Sequence, residues 1–319
     1  MTHAGNNFSK KKPRSPAANS SGTETSPPIH IPVLLDEAVK LLAPVDGGIY
    51  VDGTLGLGGH TEKILQSCTP SGRVIGFEWD DNALELATKR LTPFGQRYSA
   101  QHRSYSEIMD GLTEMGIHRV DGLLLDLGVS SLQFDNATRG FSFQADGPLD
   151  MRMDRRRHPS AEEIINNFSK DDLADIFYYF GEERQARRIA SHIVAEREKE
   201  RIKTTSHLSH IIADAIPRKF HPRKIHVATK VFQALRIAVN KELDNLTTVL
   251  NFITEILKPG GRICIITFHS LEDRLVKWKF KDNPLLHVLT KKPVTPSNEE
   301  IKMNPRARSA KLRAAFMKG

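Results

Sequence analysis

The sequence has few cysteines and no long apolar run. Its two cysteines, Cys68 and Cys264, stand far apart and lack metal-ligand spacing, which argues against a disulfide framework and a cysteine zinc site. Hydrophobic residues make up 39% of the chain, and no run approaches the roughly 18 apolar residues of a membrane span. These absences predict a cytoplasmic protein that crosses no membrane.

Acidic residues are outnumbered by basic ones. The 319 residues carry a formal net charge of +8, which favours an anionic partner. Residues 1–28 are rich in Ser, Asn, Pro and Lys and hold few apolar side chains, too few to offset the entropy that ordering would cost. We therefore expect a disordered basic tail over residues 1–28, without a specific role.

Strand-like and helix-like segments alternate from residue 30 onward. Short apolar strands are expected at 48–54, 73–79, 98–103 and 120–129, with helices between them. Alternation of this kind is typical of a parallel sheet covered by helices on both faces. The sequence therefore predicts an α/β fold.

The alternation is interrupted once. Between about 136 and 226, a loop rich in Gly, Asp and Arg is followed by helical sequence alone. A helix over about 228–257 and an apolar strand at 262–268 then resume the pattern. We predict a core formed by 29–135 and 227–319, with a helical domain of 136–226 inserted into it.

A glycine-rich turn from Asp52 to His60 joins the first predicted strand to a helix. At such a turn the backbone approaches a ligand closely, and glycine provides the space and the dihedral freedom. Its glycines at 56, 58 and 59 do not match the dinucleotide pattern G-x-G-x-x-G, and the turn lacks the Gly-Lys-Ser/Thr of a P-loop. A ligand site is expected here, and NAD and ATP are disfavoured as its ligand.

Two acidic residues follow predicted strands. Glu78 ends the second strand, where an acid commonly binds ribose hydroxyls, and Asp126 ends the fourth, at the ligand-binding edge of such sheets. Tyr105, just past the third strand, is suited to packing on an adenine or to the core. The alternatives are a solvated strand end for Glu78 and a loop-ordering hydrogen bond for Asp126.

Many ordered segments resemble the ribosomal small-subunit methyltransferase H family, also called MraW. The resemblance covers nearly everything from His30 onward. It is carried by residues 51–60, 126–131, 139–143, 146–154, 181–184, 232–237, 267–274 and 304–309. So many segments in the same order are far more specific than a single glycine motif.

The resemblance implies a class I S-adenosylmethionine-dependent methyltransferase fold with an inserted α-helical substrate-recognition domain. It implies methylation of the N4 amine of one cytidine in the decoding region of 16S ribosomal RNA, with S-adenosylmethionine as methyl donor and no metal. By position, the cofactor-binding residues of the family correspond to Gly58, Gly59, His60, Glu78, Tyr105, Asp126 and Gln133. Glu78 stands where many relatives have Asp, and Tyr105 where Phe is common.

The resemblance leaves the catalytic residue open. A cytosine amine is a poor nucleophile, so an acceptor for its proton should assist the reaction. Asp126, His269 and Asn240 are candidates by type. A strand-end cap is the alternative for His269, and a packing hydrogen bond is the alternative for Asn240.

Three basic clusters could bind phosphates of an RNA. Every charged residue is Lys or Arg over 215–241 and again over 301–319, and arginines dominate the loop at 152–157. Each cluster alone is also compatible with a solvated face. Together they favour the small ribosomal subunit and its 16S RNA as partner, and a homodimer is compatible with the sequence.

Two rival functions share part of this reasoning. A DNA methyltransferase for N4 or N6 amines would use the same cofactor, but its usual Pro-Pro-Tyr or Pro-Pro-Phe turn after the strand-four acid is missing here. A non-catalytic RNA-binding protein with the same fold is expected to have a damaged glycine turn. The intact turn favours an enzyme.

Overall fold

A seven-stranded sheet forms the centre of the computed structural model, which describes Met1, residues 31–157 and residues 159–319. The strands are β1 (Ile49–Asp52), β2 (Arg73–Phe77), β3 (Tyr98–Gln101), β4 (Val120–Asp126), β5 (Leu257–Thr267), β6 (Leu286–Val288) and β7 (Lys311–Met317). Their order is β3-β2-β1-β4-β5-β7-β6. Strands β1 to β5 pair in parallel, whereas β7 is antiparallel to both of its neighbours. This is the predicted class I methyltransferase fold. The tail predicted for 1–28 lies, apart from Met1, outside the described residues.

Helices cover both faces of the sheet and fill the interruption after β4. They are α1 (Leu35–Leu42), α2 (Gly59–Ser67), α3 (Asp81–Leu91), α4 (Ile108–Glu114), α5 (Ser131–Asp135), α6 (Ala161–Asn167), α7 (Lys170–Tyr179), α8 (Ala186–Arg197), α9 (Thr205–Ala215), α10 (Thr229–Asn240), α11 (Glu242–Ile256), α12 (Ser270–Asp282) and α13 (Asn298–Met303). Every helix in the part of the chain that the structure describes is too short or too polar to traverse a bilayer.

Side chains of the central strands alternate between two cores, because successive residues of a strand point to opposite faces. Val51, Ile75 and Leu123 pack with α4 and α11 on one face. Tyr50 and Val74 pack with α1 and α2 on the other face. Both faces of the strands are therefore buried, which explains their nearly continuous apolar sequence.

A third hydrophobic core lies between α6, α7, α8, α9 and α10. Ser160, Ser169 and Thr204 begin three of these helices as N-caps, each accepting a hydrogen bond from a backbone N–H in the first turn. The core also includes Val231 and Leu235 of α10. Packing is thus continuous across the limit at residue 226 that the sequence suggested.

Two parts of the fold differ from the expectation. The helix expected over 228–257 is two helices, because Lys241 adopts a left-handed conformation (φ 49°) between α10 and α11. The strand β7 was expected only as a basic segment. Its Arg313 is buried in the sheet because the guanidinium pairs with Asp273 of α12 (Nε to Oδ1, 2.6 Å).

Candidate functional site

The carboxyl ends of β1, β2 and β4 meet at one edge of the sheet. Asp52 at the end of β1 lies in register with Gly76 of β2 and Leu124 of β4. The turn after β1 is tied to the end of β4, since the Asp126 N–H donates to Thr54 Oγ1 (2.5 Å). Open α/β sheets bind ligands at an edge of this kind.

The glycines of the turn are needed for packing as well as for access. A Cβ at Gly58 would lie 2.9 Å from the Leu91 side chain, and one at Gly59 would overlap the Pro32 ring. Gly58 also has a positive φ of 77°, which favours glycine. These two positions thus exclude larger residues whether or not a ligand binds, and only their backbone groups are available to one.

Glu78 lies beside the turn, as its position in the sequence predicts. Its Oε2 accepts a hydrogen bond from the Gly56 N–H (2.8 Å), and its Oε1 accepts from the N–H groups of Trp79 and Asp80 (3.0 and 2.9 Å). The side chain is buried, and burial raises the pKa of Glu78 to about 7 against the lowering effect of these donors. Glu78 is therefore a fixed carboxyl group rather than a solvated strand end.

Asp126 has an oxygen that no described residue satisfies. Its Oδ1 is buried without a hydrogen-bond partner, and its Oδ2 lies 3.8 Å from Nδ1 of His60, beyond hydrogen-bond distance. Burial, and then the nearby carboxylates of Asp52 and Glu272, raise the pKa of Asp126 well above its ordinary value. A buried, unsatisfied acceptor costs free energy, so this group fits a site that a ligand donor completes.

Gln133 is connected to the edge of the sheet through one intervening residue, Asp80. Its Nε2 donates to Oδ2 of Asp80 (2.9 Å), and Arg139 donates to the same oxygen (2.5 Å). Asp80 also caps α3. Gln133 thus reaches Glu78 only through Asp80. Sequence analysis missed Asp80 and Arg139 as a pair, although an acid directly before a helix is a capping signal.

Tyr105 belongs to the core and also borders the site. Its ring is buried, and its hydroxyl donates to the Glu242 carbonyl (3.2 Å). It meets Trp79 edge-on, with 6.1 Å between ring centroids. Trp79 in turn lines a cavity of about 310 Å³. The cavity also has Arg152, Asp154, Arg157, Val239, Asn240, Lys241 and Asn245 in its wall.

Comparison of the chain with known proteins shows its family. The family model described as the MraW methylase family matches residues 28–318. The chain belongs to the MraW methylase family. It is 58% identical over 287 residues to the ribosomal RNA small subunit methyltransferase H of Desulfotalea psychrophila, covering 90% of this chain and 97% of the relative.

Other relatives of this MraW family member are similar over the same length. The protein of the same name from Geotalea uraniireducens is 48% identical, with 90% of this chain and 97% of the relative covered. Among solved structures, a SAM-dependent O-methyltransferase from Thermotoga maritima is 14% identical with a TM-score of 0.42, covering 93% of this chain and 69% of that one. At that similarity the match says nothing about the substrate.

The three candidate proton acceptors of the MraW family member differ in how far their hydrogen-bonding atoms already have partners. Asn240 is fully occupied: its Oδ1 accepts from the Met153 N–H (2.8 Å), and its Nδ2 donates to the carbonyls of Met151 and Arg236 (2.8 and 2.9 Å). His269 begins α12 as its N-cap. Oδ1 of Asp126 and Nε2 of His269 are both buried without a hydrogen-bond partner among the described residues. Nε2 of His269 forms an ion pair with Glu272 (3.2 Å), so of these two atoms the acceptor suited to a ligand N–H is Oδ1 of Asp126.

His269 also belongs to a buried charged cluster. Its Nε2 lies 3.2 Å from Oε1 of Glu272 and 3.8 Å from Oε2 of Glu242, and Arg236 donates to both oxygens of Glu242 (2.8 and 2.9 Å). Burial opposes protonation, but the two carboxylates raise the pKa of His269 to about 9. The set has metal-ligand types. However, two cations already balance two carboxylates, so the cluster needs no metal to be neutral.

The basic clusters are partly neutralised within the fold. Arg236 is buried on Glu242, and Arg156 and Arg157 both pair with Asp154. In the C-terminal cluster, Arg313 pairs with Asp273. These arginines form ion pairs within the protein, so fewer positive charges are available to an RNA than the sequence predicts.

Proposed function

We propose that this MraW family member transfers the methyl group of S-adenosylmethionine to the N4 amine of a cytidine in the decoding region of 16S ribosomal RNA. Family membership and relatives named ribosomal RNA small subunit methyltransferase H support a ribosomal RNA substrate. The observation that carries the chemistry is the unsatisfied oxygen of Asp126 at the glycine-lined edge of the sheet. An acceptor there suits an amine substrate.

The residues proposed to hold the cofactor are those that the resemblance indicates: Gly58, Gly59, His60, Glu78, Tyr105, Asp126 and Gln133. The bound cofactor supplies an electrophilic methyl group on a sulfonium. Glu78 fits a ribose, because backbone donors fix its carboxyl at the end of β2. Gln133 is proposed to act through Asp80, to which it donates. No metal is proposed, since positioning of the amine can provide much of the acceleration.

Asp126 is proposed to bind the amine N–H at Oδ1 and to take up its proton. A carboxyl group of raised pKa is a stronger base than an ordinary one, which favours proton acceptance. The acid must be ionised to accept the proton, so kcat should rise with pH and then level off. We expect Asp126→Asn to lower kcat at least about 100-fold, the lower range for general acid–base catalysis. Asp110→Asn, which changes an exposed acid on α4, should leave kcat unchanged.

The described helices between 136 and 226 are proposed to form a substrate-recognition domain on a methyltransferase core of 29–135 and 227–319. Their hydrophobic core is distinct from the two cores that flank the sheet and supports a helical unit, although α10 extends that core beyond residue 226. The cavity between Trp79 and the 152–157 loop supports it too, because it lies where the helical segment meets the core. The small ribosomal subunit in the cytoplasm is the proposed partner, and a homodimer stays a prediction.

The test is methyl transfer from labelled S-adenosylmethionine to unmodified small ribosomal subunits, free 16S RNA and duplex DNA. The modified nucleoside is identified by mass spectrometry. N4-methylcytidine in the ribosomal RNA, formed by wild type and Asp110→Asn but not by Asp126→Asn, is the expected result. Label in DNA alone would identify a DNA methyltransferase instead. Binding of the cofactor without transfer to any substrate would favour a non-catalytic RNA-binding protein.

A further inference from the structure

A second cavity lies on the far side of β5 from the glycine turn. It measures about 210 Å³ and opens between α12 and the β6–β7 pair. Its lining comprises Lys277, Phe280, Lys281, Val288, Thr290, Lys291 and Arg313. Four of these residues are cationic and none is acidic.

The lysines of this cavity are available to a ligand. Lys277, Lys281 and Lys291 are exposed, and none of their side chains has a hydrogen bond or an ion pair with another described residue. Lys277 and Lys281 lie four residues apart, so they occupy the same face of α12. Like charges gathered around one cavity repel each other, and an anion between them would relieve that repulsion.

The inner wall of the cavity consists of buried side chains. Phe280 and Thr290 are buried, as is Arg313. The Arg313 Nε donates to Asp273 (2.6 Å), and Lys311 shares that carboxylate (3.2 Å), so this acid is already neutralised. Asp282 is exposed on α12 but does not line the cavity. An apolar floor and cationic side chains at the opening suit a ligand in which a phosphate is joined to a sugar and a base.

The cavity is separate from the methyl-transfer edge. Helix α12 begins at Ser270, directly after the end of β5, and runs back along the sheet. Lys277 and Lys281 are seven and eleven residues further on, which places them roughly 10–17 Å along the helix at about 1.5 Å per residue. A ligand here would be held apart from the reacting base.

We propose that this cavity binds a backbone phosphate of the RNA substrate, outside the segment that enters the methyl-transfer site. The inference rests on the proposed function in taking the anion to be RNA. One phosphate held at a distance would fix the RNA on the protein without touching the target base, since phosphate contacts position a nucleic acid and base contacts specify it.

The test compares three triple variants for binding of a fluorescein-labelled single-stranded RNA by anisotropy at several salt concentrations. One variant changes Lys277, Lys281 and Lys291 to Gln, and a second changes them to Arg. A third changes Lys40, Lys63 and Lys89 to Gln, which removes the same charge from α1, α2 and α3. Thermal unfolding checks that each variant is folded.

We expect the Gln variant at the cavity to raise Kd about 5- to 10-fold at 100 mM salt and to reduce the salt slope by about 0.7, the value for one lost phosphate contact on a single strand. The Arg variant should bind like wild type. With small subunits as substrate, KM should rise while kcat and the Kd of S-adenosylmethionine stay unchanged.

Several results would overturn the inference. One is a cavity variant that binds RNA like the α1–α3 control, and another is a wild type that binds no RNA even at low salt. If cytidine monophosphate bound to wild type and not to the Gln variant, while both bound RNA equally well, the cavity would be assigned to a free nucleotide. Absence of methyl transfer by wild type would refute the proposed function, while the RNA-binding comparison would still decide the role of the cavity.

Discussion

Replacing Arg139 by Met should destabilise the protein strongly, because it would leave a buried carboxylate without its cation. The Arg139 guanidinium donates to Asp80 (2.5 Å) and to the carbonyls of Arg152 and Met153 (2.8 and 3.0 Å). Side-chain exposure is only 8% for Arg139 and 4% for Asp80. Breaking a buried ion pair by removing one partner costs about 3–5 kcal/mol, and the free energy of unfolding should fall by that amount.

The assay is urea unfolding followed by circular dichroism, with Arg306→Met as the matched control. Arg306 pairs with Asp135, but these side chains are 42% and 61% exposed, so its loss should cost at most about 1 kcal/mol. A second variant, Asp80→Asn with Arg139→Met, removes the stranded charge and keeps a good N-cap for α3. It should recover more than half of the loss. Equal effects of the two arginine substitutions, or no recovery in the double variant, would refute the reasoning.

Three further outcomes are expected. Glu78→Gln should raise the Kd of S-adenosylmethionine by about tenfold or more in calorimetry, since a hydrogen bond to a charged group is worth about 1.5–3 kcal/mol; Glu85→Gln, on an exposed ion pair, should not change it. Asn240→Ala should cost about 2–4 kcal/mol in urea unfolding because it leaves two buried backbone groups, the Met153 N–H and the Met151 carbonyl, unpaired, whereas Asn251→Ala, on an exposed side chain, should cost little. The pKa of His269 is raised from 6.5 to about 9 in the folded state. The protonated side chain therefore adds on the order of 3 kcal/mol to the free energy of unfolding below pH 6.5, and this contribution is lost as the pH rises through 9. Unfolding at pH 6.5, 8 and 9.5 should show this decline in wild type and not in His269→Gln.

The central strands were predictable because their signal is local. The apolar run of β4 and its terminal Asp126 stand next to each other in the sequence, and the parallel topology then places that acid at the ligand-binding edge. Strand β7 was not predictable in the same way. Its Arg313 reads as a surface residue until Asp273, 40 residues earlier, is brought against it.

The residues of the candidate site also differ in whether their contacts are local in sequence. Glu78 follows directly from its place after β2, and its backbone donors are its neighbours in sequence. The pairing of Asp80 with Arg139 joins residues 59 positions apart, and no local pattern encodes it. Sequence reasoning therefore located the edge of the sheet, whereas the interactions that hold the helical segment against that edge required the structure.

The position of β7 between β5 and β6 bears on how the protein is made. A ribosome synthesises β6 before β7, yet β6 pairs with no described strand other than β7. Until Lys311–Met317 emerges from the exit tunnel, β5 keeps an open edge with unpaired backbone groups, a surface prone to association with other chains. The nascent chain thus has a vulnerable period between the emergence of β5 and that of β7, during which a chaperone that shields extended edges would raise the yield of native protein.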